Sequence, residues 1–168
     1  MDVLTIQPGI GIGNLKLGMT KDEVNECIQA YKDKYQKRYH SKNFFKNVLR
    51  VRYDANEKVN LIEIPYELKE EFRCLLNDID VFNTKADELV QRIDKISHYD
   101  RSNTEMDTCF RFPELGLTLW RPDLFKEENL EEEWFKELQP DIQEDYKKNL
   151  YFSSVAVEPP TNRVGGGD

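Results

Sequence analysis

The sequence predicts an α+β fold, in which two related strand–helix–hairpin units form a largely antiparallel sheet with helices on one face. Three observations carry this expectation. Apolar residues alternate around two turn signals, at Leu49, Val51 and Tyr53 before Ala55-Asn56-Glu57-Lys58, and in Cys109-Phe110-Arg111-Phe112 before Pro113-Glu114. Two other segments carry apolar stripes at helical spacing, Val24, Cys27, Ile28 and Tyr31 in one and Ala86, Leu89, Val90 and Ile93 in the other. Finally, Gly18-Met19-Thr20-Lys21-Asp22-Glu23-Val24 returns as Phe82-Asn83-Thr84-Lys85-Ala86-Asp87-Glu88-Leu89 with one extra residue, the mark of an internal repeat. The related halves span about residues 6–64 and 80–157 of a single domain over 1–160.

In chain order, Gly9, Gly11 and Gly13 break an alternation at Ile10, Ile12, Leu15 and Leu17, which reads as a turn followed by a strand. A dinucleotide fingerprint fails there, because position 14 is Asn where the third glycine belongs. Thr20 and Glu23 form a capping box that opens a helix expected over Lys21 to Tyr35. The first hairpin closes on Val59 to Ile64, and Leu68, Phe72, Leu75, Leu76 and Ile79 then fit a second, short helix. A further helix over the second stripe leads to the second hairpin, ending in Leu115-Gly116-Leu117-Thr118-Leu119-Trp120. Leu130, Trp134 and Leu138 allow one helix within an insertion at 123–145, Tyr151 to Val157 supply a last strand, and 161–168 should be a disordered tail.

The 168 residues carry a net charge of −8, and its distribution is uneven. Residues 123–145 hold ten acidic and two basic side chains, a local −8, whereas 32–52 hold eight basic residues and Asp33, a local +7. Segregation of that size sets up a field that steers partners. No run approaches the roughly 20 apolar residues of a membrane span, and Met1-Asp2-Val3-Leu4-Thr5 has neither the basic nor the apolar region of an export signal. A soluble cytoplasmic protein with no membrane partner is therefore expected.

Candidate chemistry is sparse. Three separated cysteines, Cys27, Cys74 and Cys109, suit buried reduced thiols rather than disulfides. Two histidines, His40 and His98, leave little for general-base or zinc chemistry, so no metal, no cofactor and no enzyme activity is expected. Contiguous glutamates point about 100° apart on a helix and cannot form one site by themselves. The basic segment, interleaved with Tyr31, Tyr35, Tyr39, Phe44, Phe45 and Tyr53, has the residue types for phosphates and stacked bases. An acidic segment of equal size opposes it, which makes nucleic acid the third reading.

The runs from Gly11 to Val24, from Ile79 to Val90 and from Phe112 to Pro122 resemble a group of small, mostly uncharacterised bacterial cytosolic proteins. Some of these look like immunity proteins of polymorphic or contact-dependent toxin systems. The phrase Leu17-Gly18-Met19-Thr20 with Glu23-Val24 is also similar to the start of the outer-membrane assembly lipoprotein and β-lactamase-inhibitor-like folds. Their signal peptides, lipidation cysteine and disulfides have no counterpart here, so their cellular roles are not carried over. Neither resemblance implies a catalytic residue. The resemblance implies an immunity-type protein that binds a cognate toxin, such as a basic nuclease domain. An acidic surface with an aromatic anchor suits that task, so the expected contact residues are Glu127, Glu128, Glu131, Glu132, Glu133, Trp134, Phe135 and Glu137. The alternative reading is a small enzyme or ligand-binding domain with a pocket near residues 98–108.

Overall fold

The computed structural model describes residues 1–35, 43–102 and 107–161 and shows an α+β fold with two mostly antiparallel sheets. The chain opens with β1 (Asp2–Gln7), then a short hairpin of β2 (Gly11–Ile12) and β3 (Leu15–Lys16). Gly13 makes the turn between them at φ +57°, and a Cβ there would lie 2.2 Å from the Tyr31 hydroxyl. Glycine is thus required on both conformational and steric grounds.

Helix α1 (Lys21–Tyr35) has the bounds its stripe predicts. Its capping box is formed, with the Glu23 amide donating to Thr20 Oγ1 (3.2 Å) and the Thr20 amide to Glu23 Oε2 (2.9 Å). Val24 and Tyr31 are buried, while Cys27 and Ile28 pack half-buried against the core. After α2 (Phe44–Val48) come the expected hairpin strands, β4 (Arg50–Tyr53) and β5 (Val59–Pro65).

The second predicted helix is absent. Tyr66–Glu70 forms a 3-10 turn, and the chain then runs into β6 (Phe72–Leu76) and β7 (Ile79–Asp80). Phe72, Cys74 and Leu76 are buried while Arg73 is exposed, so a two-residue period hides inside the helical one. The strand prevails because β1 offers β6 a five-residue parallel ladder from Asp2–Phe72 to Ile6–Leu76. Asn77, at φ +54°, turns the chain into β7.

Helix α3 (Ala86–Asp94) follows, then β8 (Cys109–Phe112) and β9 (Leu117–Trp120) as the second hairpin. Residues 123–145 do not form the one helix that Leu130, Trp134 and Leu138 suggest. They give a 3-10 turn (Glu127–Glu131), α4 (Glu133–Lys136) and the start of α5 (Pro140–Lys147). Pro140 explains the second break, since proline forces the residue before it out of helical geometry, and Gln139 is extended at ψ 148°. The last strand is β10 (Ser154–Val157).

The strands divide between two sheets rather than one, in the orders β3-β2-β1-β6-β7 and β4-β5-β10-β9-β8. The expected units change with it: β2–β3, α1 and β4–β5 are followed by β6–β7, α3 and β8–β9, so each helix lies between two hairpins. The second set starts at Phe72 rather than near residue 80, with the first hairpin of each in the first sheet and the second in the second. The central strands β1 and β10 come from near the two ends of the described chain. Bonds from the Gly18 amide to Val59 O (2.8 Å) and from the Val59 amide to Met19 O (2.9 Å) join the sheets. One apolar core takes residues from both sheets and from α1, α2 and α3. Thr161, assigned to the tail by composition, donates to Pro113 O (2.8 Å); residues 162–168 lie outside the described ones.

Candidate functional site

The acidic insertion forms an appendage on a small core of its own. Phe125, Phe135 and Leu150 are buried in it, with Leu130, Leu138 and Tyr151 packed around them. Phe125 is the hub, its ring centroid 5.3 Å from that of Phe135, 5.7 Å from Tyr146 and 6.3 Å from Trp134. The Gln143 side chain donates from Nε2 to the carbonyls of Phe135 (3.0 Å) and Lys136 (3.3 Å), which ties α5 to the end of α4.

Arg121 anchors this appendage where it leaves β9 and where it returns. Its side chain is 2% exposed, Nε donates to Asp107 O (2.7 Å), and Nη1 donates to Asn149 O (2.8 Å). The guanidinium lies 5.6 Å from the Phe152 ring centroid and 3.9 Å from the Asp87 carboxylate. Burial pushes its pKa below the ordinary value, with Asp87 and Asp107 acting in the opposite sense. The sequence reading passed over Arg121, since an arginine after a strand has no local sign of burial. A second tie is the ion pair of Lys85, beside the start of α3, with Glu127.

The structure sorts the eight sequence-picked residues into three groups. Phe135 is 4% exposed and supports the surface from beneath, so it offers no contact area. It is buried because Phe125 and Leu150 supply the apolar neighbours that its position on α4 faces. Glu127, Glu131 and Glu132 have internal partners, respectively Lys85, Lys136 (3.4 Å) and the Trp134 indole N–H, which Glu132 accepts. Glu128, Glu133 and Glu137 are exposed, and among the described residues their carboxylates have no ion pair.

Trp134 is 43% exposed and lies 5.4 Å from the ring of Tyr146, itself 37% exposed. Leu124 and Ile142 are further large apolar side chains exposed on the same appendage. Tyr146 was missed because it sits on α5, beyond the proline break, where a single-helix reading stops. The arrangement is an open aromatic pair standing on a buried phenylalanine pair, among carboxylates left free to attract cations.

The other candidates are placed elsewhere. None of the three cysteines forms a disulfide; Cys74 and Cys109 are buried, while Cys27 is only half-buried. Burial, reinforced by Asp80, pushes the Cys74 thiol up to about 12, and burial followed by Glu26 and Glu23 raises that of Cys27. His98 is largely exposed against Asp94 (3.4 Å), and His40 lies outside the described residues. The aromatics of the basic segment are largely used internally. Tyr31, Tyr35 and Phe45 are buried with Phe72, while Phe44 and Tyr53 are half-buried; Tyr39 lies outside the described residues. Among the described residues, no three His, Cys, Asp or Glu are grouped to hold a metal ion, and no helix is long and apolar enough to cross a membrane. Comparison with protein-family models, with curated proteins and with solved structures finds no match to the chain.

Proposed function

We propose that the chain is an immunity-type protein, acting in the cytoplasm by binding rather than catalysis, and that the appendage is its contact surface for a toxin domain. The observation that carries this reading is the exposed Trp134–Tyr146 pair on the same appendage as Glu128, Glu133 and Glu137, which have no ion pair among the described residues. Half-exposed aromatics standing on buried rings are the kind of side chain that dominates binding energy once covered. The local −8 around them speeds encounter with a basic partner. A toxin with a basic substrate groove, as a nuclease has, is the partner that fits: carboxylates would take the places of substrate phosphates.

Co-expression with the product of the neighbouring reading frame tests the reading, scored by growth rescue and co-purification. Rescue that is lost on Trp134→Ala, with the variant still folded, supports it. Rescue and co-purification that survive Trp134→Ala combined with Glu133→Lys would count against the appendage as the contact surface.

A further inference from the structure

The buried arginine that anchors the appendage leaves one donor unused. Nε and Nη1 of Arg121 are taken by the Asp107 and Asn149 carbonyls, but Nη2, equally buried, makes no hydrogen bond among the described residues. The Asp87 carboxylate stands 3.9 Å from it, an ion pair too long to be a hydrogen bond. A buried donor left without an acceptor is costly, and native folds satisfy nearly all of them. Arg121 and Asp87 line a cavity of about 130 Å³ between the start of α3 and the appendage. Lys85 and Glu88 complete its α3 side, and Phe125, Lys126, Glu127 and Leu150 form the side that belongs to the appendage.

The same cavity lies at a helix end that has lost its cap. Thr20 caps α1, whereas Thr84, its counterpart in the repeat, donates its hydroxyl to Asp80 O (2.7 Å), and Lys85 at the N-cap of α3 makes no side-chain capping bond. The first-turn amides of α3 therefore lack the side-chain acceptor that α1 has, and a helix N-terminus favours an anion there. Three basic and three acidic side chains line the space, but they are unequally committed. Glu127 is paired with Lys85 and Glu88 with Arg92 (4.0 Å), while the Asp87 side chain is 63% exposed and can turn to water. Lys126 has no ion pair among the described residues.

We infer that this cavity binds a small oxyanion, which accepts from Arg121 Nη2 and from the first-turn amides of α3, with the Lys126 ammonium as counter-charge and Asp87 turned outward. Size and charge bound the ligand. The space is that of about four waters, and the acidic appendage repels a longer polyanion. Phosphate, sulfate and a carboxylate share the required chemistry. Because one wall belongs to α3 and the other to the appendage, occupancy fastens the two together. The site does not depend on the toxin-binding reading.

Nuclear magnetic resonance titration of the ¹⁵N-labelled protein with sodium phosphate, and separately with sodium acetate, tests the inference against sodium chloride at matched ionic strength. Saturable shifts centred on the Arg121 Nε–H and the amides of Ala86, Asp87 and Glu88 are expected, with a dissociation constant of about 10 mM or tighter. Saturation by phosphate identifies a tetrahedral oxyanion and saturation by acetate alone a carboxylate; either supports the site. Asp87→Asn should tighten binding about fivefold by removing a competing like charge, a gain that unfolding cannot produce. Lys126→Gln should weaken it by about the same factor, and the bound anion should slow amide exchange over 123–150. No saturable response to either anion, or shifts that chloride reproduces, would overturn the inference. So would an Asp87→Asn variant that binds neither anion better than wild type does, since Asp87 would then be no competitor for the cavity.

Discussion

The two apolar cores of this protein differ in scale and in what they support. The main core draws on both sheets and three helices, whereas the satellite core rests on Phe125, Phe135 and Leu150 with Leu130, Leu138 and Tyr151 packed around them. The larger is closed by ladders of regular strands and buries most of its apolar residues, although Val3, Ile10, Ile96 and Trp120 stand exposed around it. The smaller is closed by short helical turns and leaves Trp134, Tyr146, Leu124 and Ile142 half outside. A small core cannot offset the entropy of ordering its chain. The appendage is therefore held by Arg121 and by Lys85–Glu127 to the body, and its incomplete burial leaves exposed the surface proposed to meet a partner.

The sharpest way to break this contrast is truncation in each core. Phe112→Ala and Phe125→Ala remove rings exposed to 0% and 2%, and each should cost about 3–5 kcal/mol locally. Phe112→Ala should lower the melting temperature of the whole protein. Phe125→Ala should instead release amide hydrogen-exchange protection mainly over 123–150, because the appendage can open alone. Equal loss of protection throughout the chain would show that both cores unfold as one unit.

Alkaline titration sharpens the comparison in the other direction. The Cys74 thiol lies in the main core at about 12, above its ordinary 9.0. The folded state therefore holds that proton more tightly than the unfolded chain. Its contribution to stability is complete below pH 9.0 and is lost as the pH rises towards about 12. Denaturant titrations of wild type and Cys74→Val should diverge in slope over that window. The satellite interior has no ionisable group among its three buried residues, so the divergence should not involve 123–150. Parallel curves for the two proteins would show that Cys74 titrates as it does in the unfolded chain.

A smaller effect is expected at Arg121. Arg121→Lys retains the charge but cannot reach both the Asp107 and Asn149 carbonyls, and should cost about 1–3 kcal/mol. Exchange near Asn149 and Leu150 should rise first; an unchanged melt with unchanged exchange would remove Arg121 as the anchor. The smallest stability change belongs to Trp134→Ala, about 1 kcal/mol from the loss of ring contacts. A loss of about 3–5 kcal/mol would instead identify Trp134 as a core residue.

Legibility in the sequence followed the range of the interactions. Helix α1 and both long hairpins were readable because their caps, turns and periods are local. β6 was misread because its partner β1 lies about 70 residues away and Phe72, Leu75 and Leu76 also satisfy a helical spacing. The division into two sheets has the same origin, since β1 and β10 make their pairings across the chain. In the appendage, charge and Trp134 were visible in composition, but the burial of Phe135 and the approach of Tyr146 depend on the Pro140 break and on Phe125.

The central claim is that the appendage carries the contact surface, and association kinetics test it most directly. The partner would be the product of the neighbouring reading frame, once co-expression shows that the chain relieves its toxicity. Its binding would be followed at low and high salt for wild type, Trp134→Ala and the triple variant Glu128→Lys, Glu133→Lys, Glu137→Lys, whose side chains hold no ion pairs among the described residues. The account predicts that the triple variant associates at least about tenfold more slowly with a flattened salt dependence. It also predicts that Trp134→Ala raises the dissociation rate at least about tenfold with little change in melting temperature. Wild-type association and dissociation rates in both variants, each shown to be folded, would contradict it.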